Sequence, residues 1–262
     1  MLRAALACAA VVATASVGFS SAQAAPPRVV ALGDSYMAGV GAGDYTVTDD
    51  CRRSARSYAA DATRRTARPL TDESCPGARI PQVLEQAGLV PADASTVLVQ
   101  VGGNDVGFSS IAIACLVPQG GSCLDRIAES RAALPAIGVG LQDIARAART
   151  RAPRATIVFA GYPSLLSGSR ACASSAIGSL LDIAEIRAII ELQRQLDATI
   201  AAAAKAAGAR YIDWPRTVDQ HSLCSPSPWF VTPFSGDPQD SLHPTAKAYA
   251  VMGRSVADLL RR

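Results

Sequence analysis

Three short stretches carry residue types that do chemistry, and they lie far apart in the chain. Val29-Val30-Ala31-Leu32 is an apolar run that breaks into Gly33-Asp34-Ser35. A buried strand is therefore expected to place Ser35 at its carboxyl end, where open α/β sheets hold their ligands. Gly102-Gly103-Asn104-Asp105 follows a second apolar run, and Asn104 is the only asparagine of the chain. An amide held at a strand end can donate to a developing oxyanion, which a carboxylate cannot. Asp240 precedes His243 by three residues, in a turn closed by Pro244. That spacing can bring a carboxylate to the Nδ1–H of the ring, fixing its tautomer and stabilising the imidazolium. Each stretch taken alone also suits a plainer role: a capped turn at Gly-Asp-Ser, a left-handed turn at Asn104, a helix cap at Asp240. The chain has one other imidazole, His221, in a polar loop with no acid at a helpful spacing. It reads as a surface residue, which leaves His243 as the candidate base. Gly77 lies in a further strand-end loop, where a glycine lets a backbone N–H approach a ligand closely.

The elements that must position these residues follow from pattern. Strands are expected at 29–32, 68–72, 95–101, 155–160 and 211–213. Helices are expected at 52–67, 79–87, 123–151 (with Pro135 inside it), 180–207 and from Pro244 to Leu260. Strand and helix alternate, which implies a parallel sheet covered by helices on both faces. The strands are apolar throughout rather than alternating, as such a sheet requires. Residues 214–238 read as a Pro- and aromatic-rich loop. Gly39, Gly41 and Gly43 give a Gly-rich turn after Ser35, but the dinucleotide spacing is broken and Asp34 would repel a pyrophosphate.

Composition narrows the class. Met1-Leu2-Arg3, an apolar segment and Ala22-Gln23-Ala24 read as a secretory signal over residues 1–24, with 25–262 as a single domain. The net charge of +3 falls to +2 once Arg3 leaves, and the arginines are scattered. That gives no basis for nucleic-acid binding. No later segment is apolar enough for stable membrane insertion, and a monomer is expected. Six cysteines remain after processing, an even number that argues for disulfides in an exported chain. They allow fifteen pairings, about which the sequence is silent. Neighbour pairing closes the shortest loops and is the one expected: Cys51–Cys75, Cys115–Cys123 and Cys172–Cys224. No clustered Cys/His spacing suggests a metal site, and no cofactor is expected.

Gly33-Asp34-Ser35, Gly77, Gly102-Gly103-Asn104-Asp105 and Asp240-x-x-His243-Pro244 resemble, in order, the motif blocks of the GDSL (SGNH) hydrolases. The chain is most similar to the secreted actinobacterial lipases and esterases of that family, over nearly all of residues 25–262. The stretches 31–36 and 50–54 and the six-cysteine arrangement resemble theirs as well. The resemblance implies a flavodoxin-like three-layer α/β/α fold and cofactor-free ester hydrolysis. Ser35 is then the nucleophile, His243 the general base and Asp240 its orienting acid. The Ser35 N–H, the Gly77 N–H and the Asn104 side chain form the oxyanion hole. In some secreted relatives a main-chain carbonyl replaces the acid. The pattern departs from that of the α/β-hydrolases, since Met37 stands where G-x-S-x-G has its second glycine.

The expected substrate is an acyl ester. Leu223, Trp229, Phe230, Val231, Phe234 and Leu242 precede His243, and Val106, Phe108, Ile111 and Ile113 follow Asn104. Two such loops would form an apolar cleft for medium to long acyl chains, as in glycerides or phospholipids. The competing expectations are a cell-envelope glycan O-deacetylase or acyltransferase using the same site, and a catalytically silent, disulfide-stapled binding protein.

Overall fold

The computed structural model describes residues 26–46, 50–117, 119–233 and 236–262. The proposed signal segment lies outside them. Five strands, β1 (Arg28–Gly33), β2 (Leu70–Asp72), β3 (Ala94–Gln100), β4 (Thr156–Ala160) and β5 (Arg210–Ile212), form one all-parallel sheet in the order β2-β1-β3-β4-β5. The connecting helices are α1 (Ser35–Ala38), α2 (Tyr58–Thr66), α3 (Ile80–Gly88), α4 (Phe108–Leu116), α5 (Cys123–Arg131), α6 (Leu134–Arg151), α7 (Ser169–Ala173), α8 (Ile183–Ala206), α9 (Arg216–Asp219) and α10 (Ala246–Leu260).

Period-two packing explains the three layers. Val29 and Ala31 of β1 join one core with Tyr58 of α2 and Tyr249 of α10. Val30 and Leu32 join the other with Val83 of α3 and Leu141 and Ile144 of α6. Both faces of β1 are thus covered, so its residues are apolar without alternation. The strand order of the sheet matters for function. The chain leaves β1 toward one edge and β3 toward the other, so a crevice opens between their carboxyl ends. Ser35 and the segment 102–105 emerge there.

Local chemistry accounts for the helix boundaries. Ser57 Oγ accepts the Ala60 N–H and caps α2, which begins six residues later than its pattern suggests. The residues before it are held in turns by a Tyr45–Ser54 bridge and by the Ser54 N–H on the Ala38 carbonyl. The single helix expected over 123–151 is two. The break falls just before Pro135, which lacks a donor and whose ring crowds the carbonyl four residues back. Asp182 and Glu185 form a capping box at the start of α8. Helices α4, α7 and α9 are not evident from pattern. The apolar residues of α4 show no helical period, and α7 and α9 are only five and four residues long.

The structure pairs Cys51 with Cys75, Cys115 with Cys123 and Cys172 with Cys224. The first ties the loop before α2 to the Gly77 turn. The second closes the α4–α5 hairpin, and the third joins α7 to the loop after α9.

Candidate active site

Ser35 is the first residue of α1, directly after β1. Asp34 caps that helix by accepting the Tyr36 N–H at 3.0 Å. The turn into α1 depends on Gly33. A Cβ there would lie 2.2 Å from the Gln100 carbonyl oxygen of β3, so the strand end can approach its neighbour only without a side chain. The Gln86 side chain clamps this residue from α3, accepting the Gly33 N–H at 2.7 Å and donating to its carbonyl at 3.1 Å.

His243 reaches Ser35 from the loop before α10. Its Nε2 is 2.7 Å from Ser35 Oγ, and its Nδ1 is 2.9 Å from the Ser241 carbonyl oxygen. A carbonyl can only accept, so Nδ1 carries the proton and Nε2 is left to accept the serine O–H. The expected Asp240–His243 pair is not formed. Asp240 Oδ1 instead accepts the Tyr45 hydroxyl at 2.5 Å and Arg52 Nη2 at 2.8 Å. The cause is the conformation of the loop. Leu242 is in the left-handed region, with φ of 65°, which few side chains adopt. The turn presents the Ser241 carbonyl to the ring while Asp240 faces the loop before α2. Three contacts hold the turn: Tyr36 O–H on the Leu242 carbonyl, Leu242 N–H on the Val231 carbonyl, and Val231 N–H on the His243 carbonyl, each at 2.8 Å.

Asn104 stands at the end of β3, and its Nδ2 donates to the Ala78 carbonyl at 3.0 Å. One amide N–H thus anchors the Gly77 turn and leaves the other. Gly77 has φ of 79°, and a Cβ there would meet nothing within 4 Å. The Cys75 N–H on the Gly33 carbonyl, at 3.0 Å, holds this turn beside the β1–α1 junction.

Burial sets the electrostatics. Desolvation pushes His243 down to about 4, against which the Ser241 and Asp240 main-chain carbonyls and the Asp240 charge act. His243 is therefore neutral at pH 7. Desolvation raises Asp34 to about 7 even though Tyr162 and the Tyr36 N–H bond to it. Tyr162 donates to Asp34 Oδ2 at 2.5 Å and accepts the Gly103 N–H at 3.0 Å, so it links the nucleophile's turn to the Asn104 loop. Pattern reading passed over Tyr162 because it follows β4, more than 120 residues from Asp34. Tyr36, Tyr45 and Arg52 were missed for the same reason.

A cavity of about 110 Å³ opens beside Ser35 and Asn104. Val106, Phe108, Ile111, Leu223 and Leu242 line it, as the sequence leads one to expect. Other residues of that expectation do not. Ile113 is 54% exposed on the far side of α4. Trp229 stacks on His221 at 3.8 Å, and Phe230 is buried beside Pro244. Val231 is taken up in the His243 turn, and Phe234 lies outside the described residues. The wall also takes in Ala112 and Cys115 of α4, Ile177 and Leu181, and Ile189 and Leu192 of α8.

Residues 31–251 match the GDSL-like lipase/acylhydrolase family. The chain is 35% identical to Lipase 1 of Streptomyces coelicolor over 240 residues, covering 88% of this chain and 87% of the relative. A lipase of Streptomyces rimosus is also 35% identical, over 87% and 86% of the two chains. Among solved structures, an extracellular lipase from S. rimosus superposes with a TM-score of 0.78 at 32% identity, covering 90% of this chain and 98% of the other. A phospholipase A1 from Streptomyces albidoflavus gives 0.77 at 29%, covering 90% and 99%. With a parallel sheet of this order and a serine–histidine contact at its crevice, the chain belongs to the GDSL-like lipase/acylhydrolase family of carboxylic ester hydrolases.

Proposed function

We propose that this hydrolase is exported as one domain over residues 25–262, works as a monomer and cleaves medium to long acyl esters, glycerides or phospholipids among them, through an acyl-enzyme on Ser35. The observation that carries this reading is the 2.7 Å Ser35–His243 contact at the mouth of an apolar cavity. Ser35 Oγ attacks the ester carbonyl carbon while its proton passes to His243 Nε2. The imidazolium is held by its Nδ1–H bond to the Ser241 carbonyl, which takes the role assigned to Asp240 from its spacing. The oxyanion is received by the Ser35 N–H, an N-terminal donor of α1 with no intrahelical partner, by the free N–H of Asn104 Nδ2, and by the Gly77 N–H. Collapse expels the alcohol, which takes the proton from His243. Water then loses a proton to the same nitrogen and attacks the acyl-enzyme, and collapse releases the acid as Ser35 Oγ recovers that proton from His243.

Export is supported by three disulfides, which persist in oxidising compartments, and by the N-terminal pattern. Among the described residues no helix is long and apolar enough to cross a membrane.

The test is an ester series from acetyl to palmitoyl, compared by kcat/KM, together with Ser35→Ala and mass analysis of a fluorophosphonate adduct. Preference for the longer chains, labelling on Ser35 and a loss of about 10⁴-fold or more in the variant are expected. A monotonic fall from acetyl upward favours the glycan deacetylase. Acyl transfer to competing alcohols at the expense of hydrolysis favours the transferase. An unlabelled protein with no turnover favours the binding protein. N-terminal sequencing of protein from the culture medium should begin at residue 25.

A further inference from the structure

Asp240 accepts the His243 N–H on its main-chain carbonyl at 3.2 Å, but its carboxylate turns away from the imidazole ring to other partners. Its side chain is 21% exposed and takes two short bonds to one oxygen, from the Tyr45 hydroxyl and from Arg52. Arg52 also reaches Asp237 at 3.0 Å, three residues earlier in the same loop, and its guanidinium lies 4.4 Å from the Tyr45 ring centroid. The Tyr45 hydroxyl in turn accepts the Gly41 N–H at 3.0 Å. Gly41 packs under the other side of the catalytic turn, where a Cβ would meet the Pro244 carbonyl oxygen at 2.6 Å and His243 Cβ at 3.0 Å. One network therefore grips the His243 loop at Asp237 and Asp240 and braces its far side through Gly41.

A main-chain carbonyl has no rotamers. Where Ser241 presents its oxygen is decided by the conformation of the whole loop, whereas a carboxylate acid could adjust its own side chain. A histidine oriented in this way needs its loop anchored from outside. We propose that Tyr45, Arg52 and Asp240 form a positioning clamp that holds the Ser241 carbonyl on His243, so that Asp240 acts through the loop and not as the acid of a triad. The proposal rests on the Ser35–His243 reading above. Ser35→Ala tests that reading, and the contrasts below test the clamp alone.

Asp240→Asn keeps an acceptor oxygen for Tyr45 and Arg52 while removing the charge. A clamp should retain kcat within about tenfold, whereas a triad acid loses about 10⁴-fold on the same change. Asp240→Ala releases the loop and should lower kcat by about 10- to 100-fold with KM nearly unchanged, the cost of a displaced catalytic group. Tyr45→Phe touches neither Ser35 nor His243 and preserves the ring beneath Arg52. It should also lower kcat, and the Tyr45→Phe/Asp240→Ala double variant should cost no more than Asp240→Ala alone. Arg52→Lys should retain more activity than Arg52→Ala. Loss of more than about 10³-fold in Asp240→Asn would make it the acid and overturn the proposal. Wild-type kcat in both Tyr45→Phe and Asp240→Ala would equally overturn it. If Asp240→Ala does not fold, Tyr45→Phe carries the test, with its thermal melt as the control for folding.

Discussion

Lowering the pH tests how strongly the fold desolvates His243, the proposed base. His243 is pushed from the ordinary 6.5 to about 4, chiefly by burial. Of the two charges nearest its loop, Asp240 opposes the shift and Arg52 reinforces it. Only neutral imidazole can take the Ser35 proton. At pH 5 an unshifted base would be about 3% neutral, whereas one titrating at about 4 is about 90% neutral, a difference of about thirtyfold in kcat/KM. The assay is kcat/KM on a soluble short-chain ester from pH 3.5 to 8 at constant ionic strength. Each sample is returned to pH 7 and re-assayed to separate titration from unfolding. His221→Gln serves as control, since His221 is the only other imidazole, and should leave the profile unchanged. An acid limb with its midpoint at pH 6 or above would refute the reasoning. Linkage has a definite sign here. Between about pH 4 and 6.5 the unfolded chain binds a proton at His243 that the folded chain does not, so this group's contribution to stability rises with pH. It is complete above 6.5 and is lost on going down to about 4, a change on the order of 3 kcal/mol. Asp34 runs the other way: raised to about 7, it keeps its proton longer in the folded state and removes stability as pH rises from about 4 to 7. Asp72 and Asp197, raised by burial to about 6 and about 7, act in the same direction as Asp34, so thermal melts do not isolate His243 and the activity profile is the decisive measurement.

Asn104→Ala should lower kcat by about 10² to 10³ with little effect on KM, as for loss of one oxyanion donor; steady-state kinetics showing a change in KM alone would assign Asn104 to ground-state binding. Ala112 of α4 lines the cavity, and Ala112→Trp should exclude about two methylenes, at about 0.8 kcal/mol each, and so lower kcat/KM for long-chain esters about fifteenfold while sparing acetyl and butyryl esters. An equal loss across the series would place α4 outside the acyl path. The disulfides close separations of 8, 24 and 52 residues, for which chain entropy alone gives about 2.5, about 3.4 and about 4.1 kcal/mol. Denaturant melts of paired Cys→Ser variants should therefore rank Cys172–Cys224 as the most costly to remove and Cys115–Cys123 as the least. The Cys115/Cys123 variant should lose activity on long acyl esters before it loses stability, because Cys115 forms part of the cavity wall.

The positions of Ser35 and Asn104 at strand ends were legible in the chain because local rules place them, whereas His243 stood out only as one of two imidazoles, with an acid three residues before it. Apolar runs such as 29–32 and 97–101 specify strands, and a residue just past a parallel strand has to emerge at the sheet's carboxyl edge. Alternating strands and helices specified the three layers for the same local reason. What tertiary structure decided is everything that depends on contacts between distant segments. Asp240 has the spacing of an acid, but its partners are Tyr45 and Arg52, nearly 200 residues away, and the carbonyl that replaces it has no sequence signature. Leu242 gives no sign of its left-handed backbone, since that conformation is imposed by Tyr36, Val231 and the neighbouring chain. Trp229 and Phe230 look identical in the sequence to residues that line a cleft, yet they pack inward, while Ile189 and Leu192 of α8 form the wall. Apolar character says that a side chain leaves water. Which of two apolar spaces it enters, the core or the substrate cavity, depends on the packing of elements that only the folded chain brings together.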